Sequence, residues 1–303
     1  MTSTTDEIAR LKKVHNAIIL AHTYQPGEIQ DIADFVGDSY GLSVQAAAAD
    51  AEVIIFCGVL FMAETAAILN PDKKVILPVP EAGCPMADMI SAGELVELKR
   101  KYPGYTVLCY VNSPAEVKAE SDICCTSSNA LTIAGKLPEN KGIIFVPDKH
   151  LGSHVHEQTG RPVVLWEGFC PTHARITPAM VLAAKKNHPR ACTMIHPEAP
   201  KASRDLCDKI FSTGQMCDFV KEGPHTEFII GTEIGILHTL NHRTPQKKYY
   251  PMSDQITCPN MRRGTLETTL RALKRESGLL VNVSGDIADK ARGSLTRMLE
   301  MSR

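Results

Sequence analysis

The sequence predicts an α/β protein. It is read as three similar small three-layer α/β/α domains with parallel sheets around a pseudo-threefold axis. Two observations lead there. Short apolar runs alternate with helical stretches, the pattern of parallel strands joined by right-handed crossovers. Landmarks also recur at a near-constant interval, and such a repeat sets the fold before any local reading does. Cys84-Pro85, Cys170-Pro171 and Cys258-Pro259 lie 86 and 88 residues apart. His22, Tyr110 and His196, at the ends of strand-like runs, lie 88 and 86 apart; Ser39, Ser127 and Ser212 lie 88 and 85 apart.

The elements follow in order. Residues 5–14 read as a short helix, and NAIILA (16–21) as a strand buried on both faces. An alanine-rich helix follows GDSYG (37–41). VIIFCG (53–58) is a second strand, AETAAIL (63–69) a helix stopped by Asn70-Pro71, and KKVILPV (73–79) a strand whose loop carries Cys84. Residues 87–101 read as one periodic helix. The second copy runs through YTVLCYV (105–111), TSSN (126–129), KGIIFV (141–146) and GRPVVLW (160–166), with a helix over 178–187. The third runs through ACTMI (191–195), FSTGQM (211–216), TEFIIGT (226–232) and KKYYPMS (247–253), with a helical tail from 265. The expected repeats are 10–100, 101–186 and 187–285, with 286–303 a C-terminal helix packing on the body. No Gly/Pro/Ser-rich linker separates them, so one rigid body is expected.

Composition narrows the function. The chain has 303 residues, 44% hydrophobic, with a formal net charge of −1. That balance carries no electrostatic footprint for nucleic acid. The start lacks an apolar signal-peptide core. The most apolar stretch, 51–69, is interrupted by Glu52 and Glu64, so no membrane span is expected. A cytoplasmic chain with ten cysteines should hold reduced thiols or metal ligands. The adjacent Cys124-Cys125 is expected inside a packed turn.

Three residue sets carry chemistry, and ligands in parallel α/β units bind beyond the strands' carboxyl ends. The first is Cys84, Cys170 and Cys258. Thiolates suit a soft metal, proline stiffens the loop behind each sulfur, and Cys-Pro closes a common iron–sulfur ligand run. Three isolated buried thiols are the bland alternative. Three ligands on a four-iron cubane leave one iron open to act as a Lewis acid. A three-cysteine zinc hydrolase and a non-catalytic iron–sulfur sensor are the rival readings.

The second set is His22/Tyr24, Tyr110/Asn112 and His196/Glu198. Residues two apart on a strand face the same way, and these types supply acid, base and hydrogen-bonding groups. Glu198 is the candidate base or proton shuttle, with His196 and Tyr24 beside it. The third set is Ser39, Ser127 and Ser212-Thr213, each ahead of a helical stretch. N-capping is the bland role. Three helix N-termini aimed at one pocket predict a substrate with several negative charges. His173, three residues after Cys170, is expected near the metal centre and the substrate, and Phe61-Met62 as a pocket wall. The His-rich PDKHLGSHVHE (147–157) is read as a surface loop. No P-loop or GxGxxG supports nucleotide chemistry.

The stretches AHTYQ (21–25), GDSYGLS (37–43), PEAGCPMADM (80–89), YVNSPAEVKAESDICCTSSNA (110–130), PDKHLG (147–152), WEGFCPTH (166–173), HPEA (196–199), TEFIIGTEIGIL (226–237) and CPNM (258–261) span nearly the whole chain. Together they resemble the quinolinate synthase family of NAD biosynthesis. The resemblance implies a triangular three-domain fold around a central [4Fe–4S] cluster held by Cys84, Cys170 and Cys258, with one open iron that meets substrate. It implies condensation of iminosuccinate (iminoaspartate) with dihydroxyacetone phosphate to quinolinate, losing phosphate and two waters. An L-aspartate oxidase or dehydrogenase would supply the imine. His22, Ser39, Tyr110, Val111, Asn112, Ser127, His196, Pro197, Glu198 and Thr213 match the family's substrate-contacting positions. Tyr24 and Glu198 match its proton-transfer positions. With the residue-level reading, the candidate catalytic set is Tyr24, His196, Glu198, His22 and Tyr110, and Ser212 and His173 join the binding set. The chain departs from the family at Thr23, commonly Asn, and Ala199, often Cys. Met261 stands where some members carry a second thiol.

Overall fold

A computed structural model describes residues 3–302. The apolar runs form strands because they can satisfy their backbone only in a sheet covered on both faces. The first unit comprises α1 (Thr4–Val14), β1 (Ala17–His22), α2 (Gly27–Ile32), β2 (Phe35–Gly37), α3 (Ser39–Ala48), β3 (Val53–Cys57), α4 (Leu60–Leu69), β4 (Lys74–Leu77) and α5 (Ala92–Lys101). The second comprises β5 (Thr106–Tyr110), α6 (Ala115–Ala119), β6 (Ile123–Cys125), α7 (Ala130–Lys136), β7 (Ile143–Val146), α8 (Lys149–Thr159), β8 (Val163–Leu165) and α9 (Pro178–Asn187). The third comprises β9 (Cys192–Ile195), α10 (Lys201–Arg204), β10 (Lys209–Ile210), α11 (Thr213–Glu222), β11 (Glu227–Gly231), α12 (Ile236–Arg243) and β12 (Lys248–Pro251). The tail adds α13 (Leu266–Leu273), β13 (Leu279–Leu280) and α14 (Gly285–Met301).

The strand orders are β2-β1-β3-β4, β6-β5-β7-β8 and β10-β9-β11-β12, all parallel. Each unit therefore places its strands second, first, third, fourth. The repeat extends to details. Asp34, Asp122 and Asp208 each accept a backbone N–H, from Ile19, Val107 and Thr193, at 2.7, 2.8 and 2.8 Å. Pro26, Pro114 and Pro200 each stand at the N-cap of a short helix. One core cluster takes side chains from all three sheets, among them Phe56, Phe145 and Phe228. Burying each contributes about 1.5–3 kcal/mol.

Several sequence readings change. The single helix over 87–101 is a 3₁₀ turn (Ala87–Met89), an extended Ile90, and α5, which a Ser91–Glu94 capping box starts afresh. The stretch 147–157 is not a surface loop. It enters α8, which Asp148 caps, and Leu151, His154 and Val155 are buried. Cys124 and Cys125 lie in β6, fully buried beside β5, rather than in a turn. Residues 266–280, read as part of the third unit, pack on the first: α13 joins the core of α1, β1 and β3, and β13 pairs antiparallel with β4. α14 lies against α6, β6 and α4. Among the described residues, no helix is long and apolar enough to cross a membrane.

Candidate active site

The strands end at one shared cavity of about 450 Å³. All three Cys-Pro pairs line it, with Phe61 and Met62 as the expected wall. Burial pushes the Cys84 thiol up to about 12, and the neighbouring Cys258 and Glu198 push in the same direction. Burial, then Glu198 and Cys84, raise Cys170. Burial also raises Cys258. Three buried thiols around one cavity are soft donors that a metal centre would draw out as thiolates.

Two buried carboxylates hold the sulfur loops. Asp148 accepts the Cys170 N–H at 3.1 Å and the Leu151 N–H at 2.7 Å. Glu233 accepts the Cys258 N–H at 3.3 Å, the Gly235 N–H at 2.6 Å and Arg262 Nε at 3.0 Å. Each stands two residues beyond its strand, β7 or β11, and Val59 occupies that position after β3.

The two histidines of the strand-end pairs use one local device. His22 Nδ1 accepts the Tyr24 N–H at 3.1 Å, and His196 Nδ1 accepts the Glu198 N–H at 3.3 Å. An Nδ1 that accepts leaves the proton on Nε2. Burial lowers His22 to about 4 and His196 to about 3, so both rings are neutral near pH 7.

Glu198 is 3% exposed. Burial alone would raise its carboxyl. The hydrogen bonds it takes from His173 and from the hydroxyl of Tyr110 favour the ionised form, outweigh burial and hold it below the usual carboxylate range. Its Oε2 lies 2.6 Å from His173 Nδ1 and 3.6 Å from His196 Nδ1. His173 Nδ1 is also 3.2 Å from Cys170 Sγ, and its Nε2 is 2.8 Å from Thr232 Oγ1. Thr232 Oγ1 lies 2.6 Å from the Tyr24 hydroxyl, which reaches Thr213 Oγ1 at 2.8 Å. A buried hydrogen-bond chain thus runs Glu198–His173–Thr232–Tyr24–Thr213 across all three units. Burial and Glu198 raise both Tyr24 and Tyr110 well above the ordinary phenol value, so both keep their protons.

The serine set divides. Ser212 caps α11, as the bland role predicts, and does not line the cavity. Asp38 caps α3, so Ser39 is its first residue, and Asn129 precedes α7, so Ser127 caps nothing. Ser39, Ser127 and Thr213 line the cavity with His22, Tyr24, Tyr110, Asn112, His173, His196 and Glu198; the expected Val111 and Pro197 are not among the lining residues. Asp38 also clasps the three units together. Its Oδ2 accepts Ser128 Oγ at 2.6 Å and the Gly214 N–H at 3.2 Å, and Ser128 Oγ meets Ser212 Oγ at 2.9 Å.

Cys170, His173 and Glu198 bring their donor atoms within 4.8 Å of one another and could hold a metal ion. Among the described residues, Cys84, Cys170 and Cys258 do not form such a set: only one of the three belongs to this close cluster.

Sequence reasoning passed over Thr232, Asp38, Ser128, Asp148 and Glu233. Asp148 and Glu233 were legible as carboxylates two residues past matching strands. Thr232 was not, because its partner Tyr24 is 208 residues away.

Three like sheets enclosing one cavity of thiols, imidazoles and a buried carboxylate define an α/β enzyme of the metal-binding class. The family model described as NadA, quinolinate synthetase A protein, matches residues 6–300. The chain belongs to that family of iron–sulfur enzymes of NAD biosynthesis. It is 51% identical over 295 residues to a quinolinate synthase of Dehalococcoides mccartyi, covering 97% of each chain. It is 50% identical over 297 residues to one from Caldicellulosiruptor saccharolyticus and 49% over 296 to one from Methanoregula boonei. In both cases 98% of this chain and 97% of the relative are covered.

Proposed function

We propose that the chain condenses iminosuccinate with dihydroxyacetone phosphate to form quinolinate, releasing phosphate and two waters, around a [4Fe–4S] cluster held by Cys84, Cys170 and Cys258. When bound, such a cluster supplies an iron free of protein ligands, a Lewis acid for a hydroxyl or carboxylate. The observation that carries this reading is the buried chain from Glu198 to Tyr24 beside three thiols in one cavity.

The chain's own residues then divide the work. The Glu198 carboxylate accepts a proton at Oε2 and exchanges it with His173 Nδ1. From Nε2 the path continues through Thr232 Oγ1 to the Tyr24 hydroxyl. The neutral His22 and His196 donate from Nε2 to substrate oxygens. Among the described residues, Arg175 is the sole Lys or Arg lining the cavity, so the substrates' charges fall mainly to backbone N–H groups at the starts of α3 and α11 and to the hydroxyls of Ser39, Ser127 and Thr213. The imine is labile, so an L-aspartate oxidase or dehydrogenase is the fitting supplier.

The zinc alternative fits less well. Sulfurs sharing one zinc at about 2.3 Å bonds lie roughly 3.8 Å apart, closer than this cysteine set is arranged. A cubane spans a wider triangle. A non-catalytic sensor would leave the carboxylate–imidazole chain without work.

Two variants test the proposal. Anaerobically purified protein should be brown and carry about four irons per chain. Cys84→Ser should lose iron and activity together, and iron retained there removes Cys84 from the ligand set. Glu198→Gln should keep the iron and lose roughly 10²–10⁴-fold in kcat. Quinolinate formation at the native rate in that variant overturns the acid–base assignment.

A further inference from the structure

Outside the cavity, a second set of donors gathers where the first and third units meet. His238 and His242 stand four residues apart on α12, so their imidazoles share one helix face. Asp31 reaches them from α2. Asp31 Oδ1 lies 2.7 Å from His238 Nε2 and 3.8 Å from His242 Nε2, and the ring centroids are 4.8 Å apart. All three donor atoms fall within 4.8 Å of one another. None of the three residues lines the cavity.

The frame around them is fixed. Gln30 Nε2 donates to the Gly235 carbonyl at 3.0 Å, and its Oε1 accepts from Thr239 Oγ1 at 2.6 Å, binding α2 to α12 by buried contacts. Gly27 lets the His238 ring close down: a Cβ there would stand 2.6 Å from Nδ1. A simple Asp31–His238 hydrogen bond accounts for two of the groups. It leaves unexplained why a second imidazole, 70% exposed, is held over the same carboxylate oxygen.

We propose that Asp31, His238 and His242 form a divalent-cation site, with zinc the best-suited ion, that ties the first unit to the third. Two imidazoles and a carboxylate are borderline donors suited to zinc. Ligand atoms on one tetrahedral zinc lie about 3.4 Å apart at the usual bond lengths. The distances to Asp31 bracket that value, so small side-chain rotations complete the site. Three protein ligands leave the remaining position to water, which makes the ion exchangeable.

The test uses intact, cluster-loaded protein, with its iron content measured independently. Zinc is titrated by equilibrium dialysis into the wild type and into His242→Asn, which leaves the Asp31–His238 pair in place. Asp31→Asn serves as the second variant. The wild type should bind about one more zinc ion per chain than His242→Asn, whose affinity should fall by at least roughly tenfold. At a hundredfold excess over the wild-type Kd the wild-type Tm should rise by about 4 °C, and that of either variant by no more than about half as much. Equal zinc uptake by wild type and His242→Asn, including none by either, overturns the proposal. Poor iron loading would count against the iron–sulfur reading alone, because the zinc comparison depends only on residues outside the cavity.

Discussion

At the scale of single residues, the site is governed by burial acting against charge. His22 and His196 are neutral because burial penalises the imidazolium more than the nearby carboxylates stabilise it. Glu198 stays ionised in the same pocket because the hydrogen bonds it takes from His173 and Tyr110 outweigh its burial. This opposition has a stability consequence. The folded-state values of the two histidines lie below the ordinary 6.5, so between about pH 6.5 and 4 the unfolded chain binds protons that the folded chain refuses. Stability is complete above pH 6.5 and declines as pH falls through that window. Between pH 6.5 and 5 the loss should be about 2 kcal/mol per histidine. Burial lowers the His154 imidazole to about 4 as well, so at least three histidines share the decline. Denaturant unfolding at the two pH values, on wild type and His22→Gln, checks this: the variant should lose about 2 kcal/mol less than the wild type over this range. An equal decline in both assigns the pH dependence to other groups.

At the scale of elements, each unit's helix and loop ends are fixed by short polar contacts, and the Asp38 clasp illustrates how. One carboxylate oxygen caps α3 through the Gly41 N–H at 2.9 Å, while the other holds the start of α11 and the Ser128 turn. Asp38→Ala should cost about 0.5–2 kcal/mol as a lost cap. It should also raise KM for the proposed phosphate-bearing substrate more than it lowers kcat, because Ser39, Ser127 and Thr213 would lose their mutual placement. Gly214→Ala should copy that kinetic pattern, since its Cβ would sit 2.6 Å from Asp38 Oδ2. Steady-state kinetics and thermal melts of both variants decide the matter, and unchanged KM in both would dismiss the clasp as an ornament of the loop. The same contacts explain what was legible in the sequence. The first, third and fourth strands of most units announced themselves as apolar runs, and the Cys-Pro interval revealed the repeat. The second strands did not: β2, β6 and β10 span two or three residues, too short for any periodicity. Their marker was instead Asp34, Asp122 and Asp208, which bind the neighbouring strand at the repeat's own interval. The 87–101 helix was read too long because Ile90 and Ser91 interrupt a continuous apolar pattern with an extended residue and a new cap.

At the scale of the whole molecule, three units with one strand order present three sulfur loops to one cavity, but the chain's last segments break the symmetry. α13 and β13 return to the first unit, and α14 crosses to α6, β6 and α4. That crossing bears on the site indirectly. Ser294 Oγ donates to the Lys118 carbonyl at 2.9 Å and contacts Cys124 Sγ at 3.3 Å. Lys118, fully buried, donates from Nζ to the Ser113 carbonyl at 2.7 Å, at the loop that follows Tyr110 and Asn112. α14 thus braces the second unit's pocket loop from behind, through packing rather than contact with the cavity. Leu295, fully buried on α14, is the place to test this. Leu295→Ala should destabilise the protein by about 2–5 kcal/mol through the lost burial and the space left behind. Well below the lowered Tm, kcat should stay near the native value, because no cavity group is touched. Thermal unfolding read alongside quinolinate formation at low temperature separates the two effects. A large fall in kcat without a fall in Tm would place α14 in the catalytic machinery and reverse the division of labour between the three symmetric units and their asymmetric tail.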